Sequence, residues 1–122
     1  MATVLVVDDE ELMRTLVRMT LEVTAHEVVA VAADADAGLA AWRDLKPDVI
    51  VLDHRMPLTT GLDVAAAILD EHPAQRIVLF TIDTDLDLFQ QAQRLGIAAV
   101  IAKPDIGHLA EVITSVAGEP GR

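Results

Sequence analysis

A chain of 122 residues allows one domain and a modest core. Nine Lys and Arg against 20 Asp and Glu give a net charge of −11, which excludes a sequence-independent nucleic-acid binder and disfavours docking on anionic membrane, since both need a cationic face. Hydrophobic residues at 52% exclude charge-driven disorder, and an aromatic content of 2% (Trp42, Phe80 and Phe89) leaves no platform for base stacking.

The chain begins MATVLVVDDEE, with no basic stretch and with acid from position 8, so it is not read as a signal peptide. Val4–Val7 is the first of five short apolar runs; the others are Val28–Val31, Val49–Leu52, Ile77–Phe80 and Ala98–Ile101. Nearly continuous, mostly β-branched runs are expected of strands buried on both faces, with the second run nearer an edge. After the first run, Leu12, Leu16, Met19 and Val23 follow the i, i+4, i+7, i+11 spacing of an amphipathic helix. Asp34–Leu45 is the second helical segment, and Leu62, Ala65, Ala66 and Leu69 mark the third. The fourth and fifth are predicted over Asp85–Leu95 and Asp105–Val116. Pro57, Pro73 and Pro104 fall in connections, and Gly96 stands where a helix should stop before the fifth run. One domain is expected over residues 1–118, with 119–122 a short tail. No apolar run nears the ~18 residues of a membrane span. With no Cys, disulfides, thiolate metal sites and thiol nucleophiles are removed together. A soluble, cytoplasmic protein is expected.

Strands alternating with helices imply right-handed crossovers and an α/β fold: a single doubly wound (βα)5 domain with a five-stranded parallel sheet. Ligands of such sheets bind beyond the carboxyl ends of the strands. Those ends carry Asp8-Asp9, Asp53, Thr81 and Lys103-Pro104. If strands one, three, four and five are neighbours, these side chains converge on one edge. A single strand-end carboxylate is ordinarily a helix cap; all four ends are harder to explain by capping. Two unit charges 4 Å apart repel by roughly 4 kcal/mol at an effective dielectric of 20, so three carboxylates raise each other's pKa or recruit a cation. Hard oxygen ligands favour Mg²⁺, because His26, His54, His72 and His108 have no metal-ligand spacing and are expected to be exposed. A carboxylate can also attack phosphorus, in a transfer governed by positioning and charge neutralisation. Glu10 and Glu11 read as acidic enrichment at a helix start, Asp83, Asp85 and Asp87 as a solvated start to helix four, and Trp42 as packing.

Four segments, Val4-Leu5-Val6-Val7-Asp8-Asp9-Glu10, Leu52-Asp53-His54-Arg55-Met56-Pro57 with Gly61, Phe80-Thr81, and Lys103-Pro104, occur in order. The chain resembles a receiver domain of a two-component response regulator over nearly its whole length. The resemblance implies a flavodoxin-like (CheY-like) fold with Asp53 as phosphoacceptor for a histidine kinase or phosphotransfer protein. It implies Mg²⁺ held by Asp9 directly, by Asp8 through water, by Asp53 and by the main-chain carbonyl of Arg55. Thr81 would bond the phosphoryl group, and Lys103 would pair with it, aimed inward by a cis bond before Pro104. Phosphorylation would then switch the helix 4–strand 5–helix 5 face, read by an effector protein, by an output domain not on this chain, or by a homodimer. No enzymatic activity is implied beyond self-phosphorylation and self-dephosphorylation, and no nucleic-acid or membrane partner.

Three positions depart from the family pattern. Val100 replaces an aromatic that turns inward as the Thr moves. Ile82 replaces a small residue and is expected to narrow access to Asp53. Asp105, where an apolar residue is usual, reads as the N-cap of the last helix. Val100 and Ile82 keep open a phosphorylation-independent scaffold. An aspartyl-nucleophile phosphatase is less favoured, because its second acid would fall on Arg55.

Overall fold

The computed structural model describes residues 2–117, so the expected tail at 119–122 lies outside the described residues. The apolar runs form β1 (Thr3–Val7), β2 (Glu27–Ala32), β3 (Val49–Leu52), β4 (Arg76–Thr81) and β5 (Ala99–Ala102). They pair in parallel in the order β2-β1-β3-β4-β5. The expected (βα)5 sheet is therefore present, β2 is an edge strand, and the chain reverses its winding between β1 and β3. Two further two-residue strands, Arg55–Met56 and Thr59–Thr60, form a small antiparallel hairpin after β3.

The period of two sorts the strand residues into two cores. Leu5, Val7, Ile50, Leu52, Ile77 and Leu79 face one layer, where α2 (Ala35–Leu45), α3 (Gly61–Glu71) and α4 (Leu86–Leu95) supply Trp42, Val64, Ile68, Leu88 and Ala92. Val4, Val6, Val49, Val51, Val78 and Phe80 face the other, against Val17 and Leu21 of α1 (Glu11–Glu22) and Leu109, Ile113 and Val116 of α5 (Leu109–Ala117). Each fully buried Leu, Ile or Phe is worth ~1.5–3 kcal/mol relative to exposure. Trp42 packs as expected, and its Nε1 donates to Gln75 Oε1 at 3.0 Å.

Short polar side chains start three of the helices. Asp34 accepts from the Ala37 N–H, Thr60 from Asp63 and Asp85 from Leu88. Gly96, at φ 91°, closes α4 in the left-handed region, where a side chain would be strained.

Three expectations are corrected. Leu12, Leu16, Met19 and Val23 lie on the outer side of α1, 69%, 38%, 57% and 87% exposed, while Val17 and Leu21 are buried. Helix α1 carries two apolar stripes, offset by one residue or about 100°, and only one can face the sheet. At the fifth helix, Asp105 is not an N-cap: Lys103–His108 form a 3₁₀ helix, within which Asp105 has φ −90° and ψ 24°, and α5 starts at Leu109. Nor are all four His exposed. His26 is half-buried, its Nδ1 accepting from the Ala2 N–H at 3.1 Å and its Nε2 2.8 Å from Thr114 Oγ1, which joins the start of β1 to α5. His54 is half-buried beside Asp53, whereas His72 and His108 are exposed. Among the described residues, no helix is long and apolar enough to cross a membrane.

Candidate functional site

The sheet ladders run one step past the strands and carry two carboxylates with them. Val7 and Leu52 are register partners; beyond them the Asp8 N–H donates to Ala32 O at 3.0 Å and the Asp53 N–H to Val7 O at 2.9 Å. Thr81 closes β4 opposite Ala102, and Lys103 follows at once. Asp8, Asp53, Thr81 and Lys103 are all buried, between 0% and 6% exposed, while Asp9 is exposed at the rim. One carboxylate oxygen from each of Asp8, Asp9 and Asp53 lies within 4.8 Å of the other two.

Lys103 is the ammonium among these acids. Its Nζ lies 3.0 Å from Asp8 Oδ2, 3.1 Å from Glu10 Oε1 and 3.4 Å from Asp53 Oδ1. The expected cis bond before Pro104 is absent: no peptide bond among the described residues is cis. Lys103 reaches inward from the end of β5 without it. Glu10, read from the sequence as helix-start enrichment, instead extends the Lys103 network. No periodicity signals that role, because it depends on a contact 93 residues away in the chain.

The backbone around Asp53 is closely packed. The Gly61 N–H donates to His54 O at 2.6 Å. A Cβ on Gly61 would meet the Asp53 carbonyl, would stand 2.8 Å from His54 Cα and 2.9 Å from Leu79 Cδ1. Only glycine lets α3 start flush against the Asp53 segment. Arg55, whose main-chain carbonyl was the expected third direct protein ligand, opens the small hairpin two residues beyond Asp53. Its side chain grips Asp83 with two hydrogen bonds, Nε to Oδ2 at 2.7 Å and Nη2 to Oδ1 at 2.6 Å. Asp83 is thus half-buried and paired rather than part of a solvated helix start. Its N–H donates to Thr81 Oγ1 at 3.0 Å. Ile82 between them is 63% exposed, and Val100 is half-buried against the layer that holds α3 and α4.

Burial is the main force that pushes the Asp53 carboxyl up from 3.8 to about 7. The Asp8 charge adds to the rise, and Lys103 opposes it. For Lys103, burial pulls downward, but the Asp8 contact and the Asp53 and Asp8 charges outweigh it and hold the ammonium above its usual range. Three carboxylates against one buried ammonium leave uncompensated negative charge. A hard divalent cation fits that oxygen set.

Comparison with known proteins gives one consistent result. The family model described as "Response regulator receiver domain" matches residues 4–114. The "Protein-glutamate methylesterase/protein-glutamine glutaminase 2" of Anaeromyxobacter dehalogenans is 39% identical over 117 residues, covering 92% of this chain and 34% of that protein. "Response regulator GacA" of Pseudomonas viridiflava is 32% identical, covering 95% of this chain and 54% of its own length. The chain therefore spans about a third to a half of these two curated relatives. Among solved structures, Vibrio cholerae chemotaxis protein CheY4 superimposes with a TM-score of 0.87 at 30% identity, covering 95% of this chain and 98% of that one. A two-component response regulator of the LuxR family from Aurantimonas gives 0.91 at 28% identity, covering 96% and 85%. With the strand-end acids, hydroxyl and lysine on one edge of a sheet ordered 2-1-3-4-5, the chain belongs to the receiver domain family of two-component response regulators.

Proposed function

We propose that this receiver is a phosphorylation-controlled switch in which Asp53 takes a phosphoryl group from a histidine kinase or phosphotransfer protein in the cytoplasm. The observation that carries this reading is the Lys103 ammonium, buried 3.4 Å from Asp53 and 3.0 Å from Asp8 in a cage of three convergent carboxylates. Asp8, Asp9, Asp53 and the Arg55 carbonyl would hold Mg²⁺, which when bound neutralises phosphoryl oxygens. An Asp53 oxygen attacks phosphorus as the bond from phosphorus to the donor's imidazole breaks, and the proton on the departing nitrogen comes from solvent. Lys103 would pair with a phosphoryl oxygen, and Thr81, whose oxygen accepts from the Asp83 N–H, would offer its hydroxyl proton to another. Water then hydrolyses the acyl phosphate, the only turnover proposed.

The outer stripe of α1 supports a helical donor. Leu12, Leu16, Met19 and Val23 form an exposed seam that leads up to Asp9 and Glu10 at the pocket rim. Output is assigned to an effector protein or an output domain, or to a homodimer through the α4-β5-α5 face. The net charge of −11 argues against direct nucleic-acid contact.

The test is intact mass after incubation with Mg²⁺ and acetyl phosphate. Gain of one phosphoryl group, abolished by Asp53→Asn, is expected. A second reading, a phosphorylation-independent scaffold, is favoured by Val100, which supplies no aromatic for the switch. No mass gain in the unmodified protein would select it, and steady turnover of unrelated phosphoesters would select a phosphatase.

A further inference from the structure

The loop that carries Asp53 is fastened to its neighbour after β4. Arg55 comes from the loop after β3 and Asp83 from the loop after β4; they meet through two parallel hydrogen bonds of 2.7 and 2.6 Å. Asp83 is 18% exposed and Arg55 69%, so the acid is set into the loop while the guanidinium lies over it from solvent. The Asp83 main chain is bonded to Thr81 Oγ1, and Asp85, two residues on, caps α4. Arg55 is the only Lys or Arg in either loop, and the Asp53 carboxylate already attracts it.

We propose that Arg55 is an exchangeable latch: it holds Asp83 while Asp53 is bare and moves to the phosphoryl oxygens when Asp53 is modified, releasing the segment that leads into α4. This rests on Asp53 being the phosphoacceptor. A phosphoryl group brings roughly −1.5 to −2 charges and three acceptor oxygens, and guanidinium binds such oxyanions in the same paired geometry it uses for a carboxylate. Two anions then compete for one planar cation. Once Arg55 leaves, Asp83 loses its only side-chain partner among the described residues at the moment the Thr81 hydroxyl is drawn away from the Asp83 N–H. Both ties on residue 83 loosen together. The exchange supplies a mechanical signal to a receiver that has Val100 where an inward-turning aromatic would be. Arg55 is in this sense a positioning residue for the loop and a ligand for the modified site.

The test is a double-mutant cycle on the full chain. Beryllofluoride with Mg²⁺ serves as the phosphoryl mimic, and the amide signals of residues 82–88 report binding. Asp83→Asn frees Arg55 and is expected to tighten mimic binding about threefold, the scale of one partly exposed ion pair, while Arg55→Gln weakens it by a similar factor. In the Arg55→Gln background, Asp83→Asn should give no gain. Arg55→Lys, which keeps the charge and loses the paired geometry, should fall between. Asp83→Asn should also move the amides of residues 82–85 toward their mimic-bound positions before any mimic is added, a readout that a purely structural ion pair would not produce. A gain that survives in the Arg55→Gln background would mean bulk charge rather than exchange, and would overturn the latch alone. Failure of the unmodified protein to respond to beryllofluoride would overturn the phosphoacceptor reading and the latch with it.

Discussion

Replacing Asp53 with Asn should stabilise the metal-free protein at neutral and alkaline pH. In the folded chain the carboxyl is raised from 3.8 to about 7, first by burial and then by Asp8. The folded state therefore holds the Asp53 proton more tightly than the unfolded chain does. The stability this provides is full below the unfolded value of 3.8 and is lost as pH rises through about 7. At ~1.4 kcal/mol per tenfold change in acidity, the whole displacement corresponds to roughly 4 kcal/mol. Solvent at the open Asp9 rim screens part of it, so about 2 kcal/mol is the working figure. Asparagine cannot ionise and escapes the loss. In a domain of this size the gain should raise Tm at pH 8 by roughly 8 °C. Thermal unfolding followed by circular dichroism, with chelator and at steps between pH 4 and 8, measures it. The gap between the two proteins should open across that interval and level off above the folded value. Magnesium at ten times its Kd should then add ~1.4 kcal/mol to the unmodified protein and less to the variant, which narrows the gap. A variant less stable than its parent at pH 8, or a difference flat across the interval, would refute the reasoning.

Four further outcomes are expected. Gly61→Ala places a methyl group 2.8 Å from His54 Cα and against the Asp53 carbonyl, where backbone must yield; a loss of about 3 kcal/mol in urea unfolding is expected, with weakened magnesium binding. Leu58 is fully exposed at φ 69°; Leu58→Gly relieves the left-handed strain and should gain about 0.5 kcal/mol after glycine's own entropic cost, read from the urea midpoint. Ile82→Ala should speed both phosphoryl uptake and hydrolysis about threefold, or ~0.6 kcal/mol of barrier, and equal rates in the two forms would count against any narrowing by Ile82. Met19→Gln, on the outer stripe of α1, should leave stability within ~0.5 kcal/mol and slow transfer from a protein donor while leaving transfer from acetyl phosphate unchanged.

The five strands were legible in the sequence because each is a short apolar run bounded by turn residues. The convergence of Asp8, Asp53, Thr81 and Lys103 followed from parallel pairing, since every strand then ends on the same side. What stayed hidden depends on rotation or on distant contact. The stripe of Leu12, Leu16, Met19 and Val23 has helical period, but period fixes only relative angle, and the sheet took Val17 and Leu21 instead. The roles of Glu10 and Asp83 were obscured by their neighbours, because acids at helix starts are common for electrostatic reasons of their own. Asp105 had the composition of a cap, but the tight turns of the 3₁₀ segment after Lys103 moved the start of α5 to Leu109.

The hang of the pocket from two neighbouring ladders divides it mechanically. Asp8 is held by a main-chain bond to Ala32 at the end of edge strand β2 and Asp53 by one to Val7 of β1, so their amides exchange with solvent when those ladders open. The opposite rim is built from the hairpin that carries Leu58 and from the Ile82–Asp85 loop, both largely solvated. Amide exchange should differ between the two sides by orders of magnitude. The carboxylate proposed as phosphoacceptor sits on the anvil, and the solvated loops beside it are the parts free to change shape.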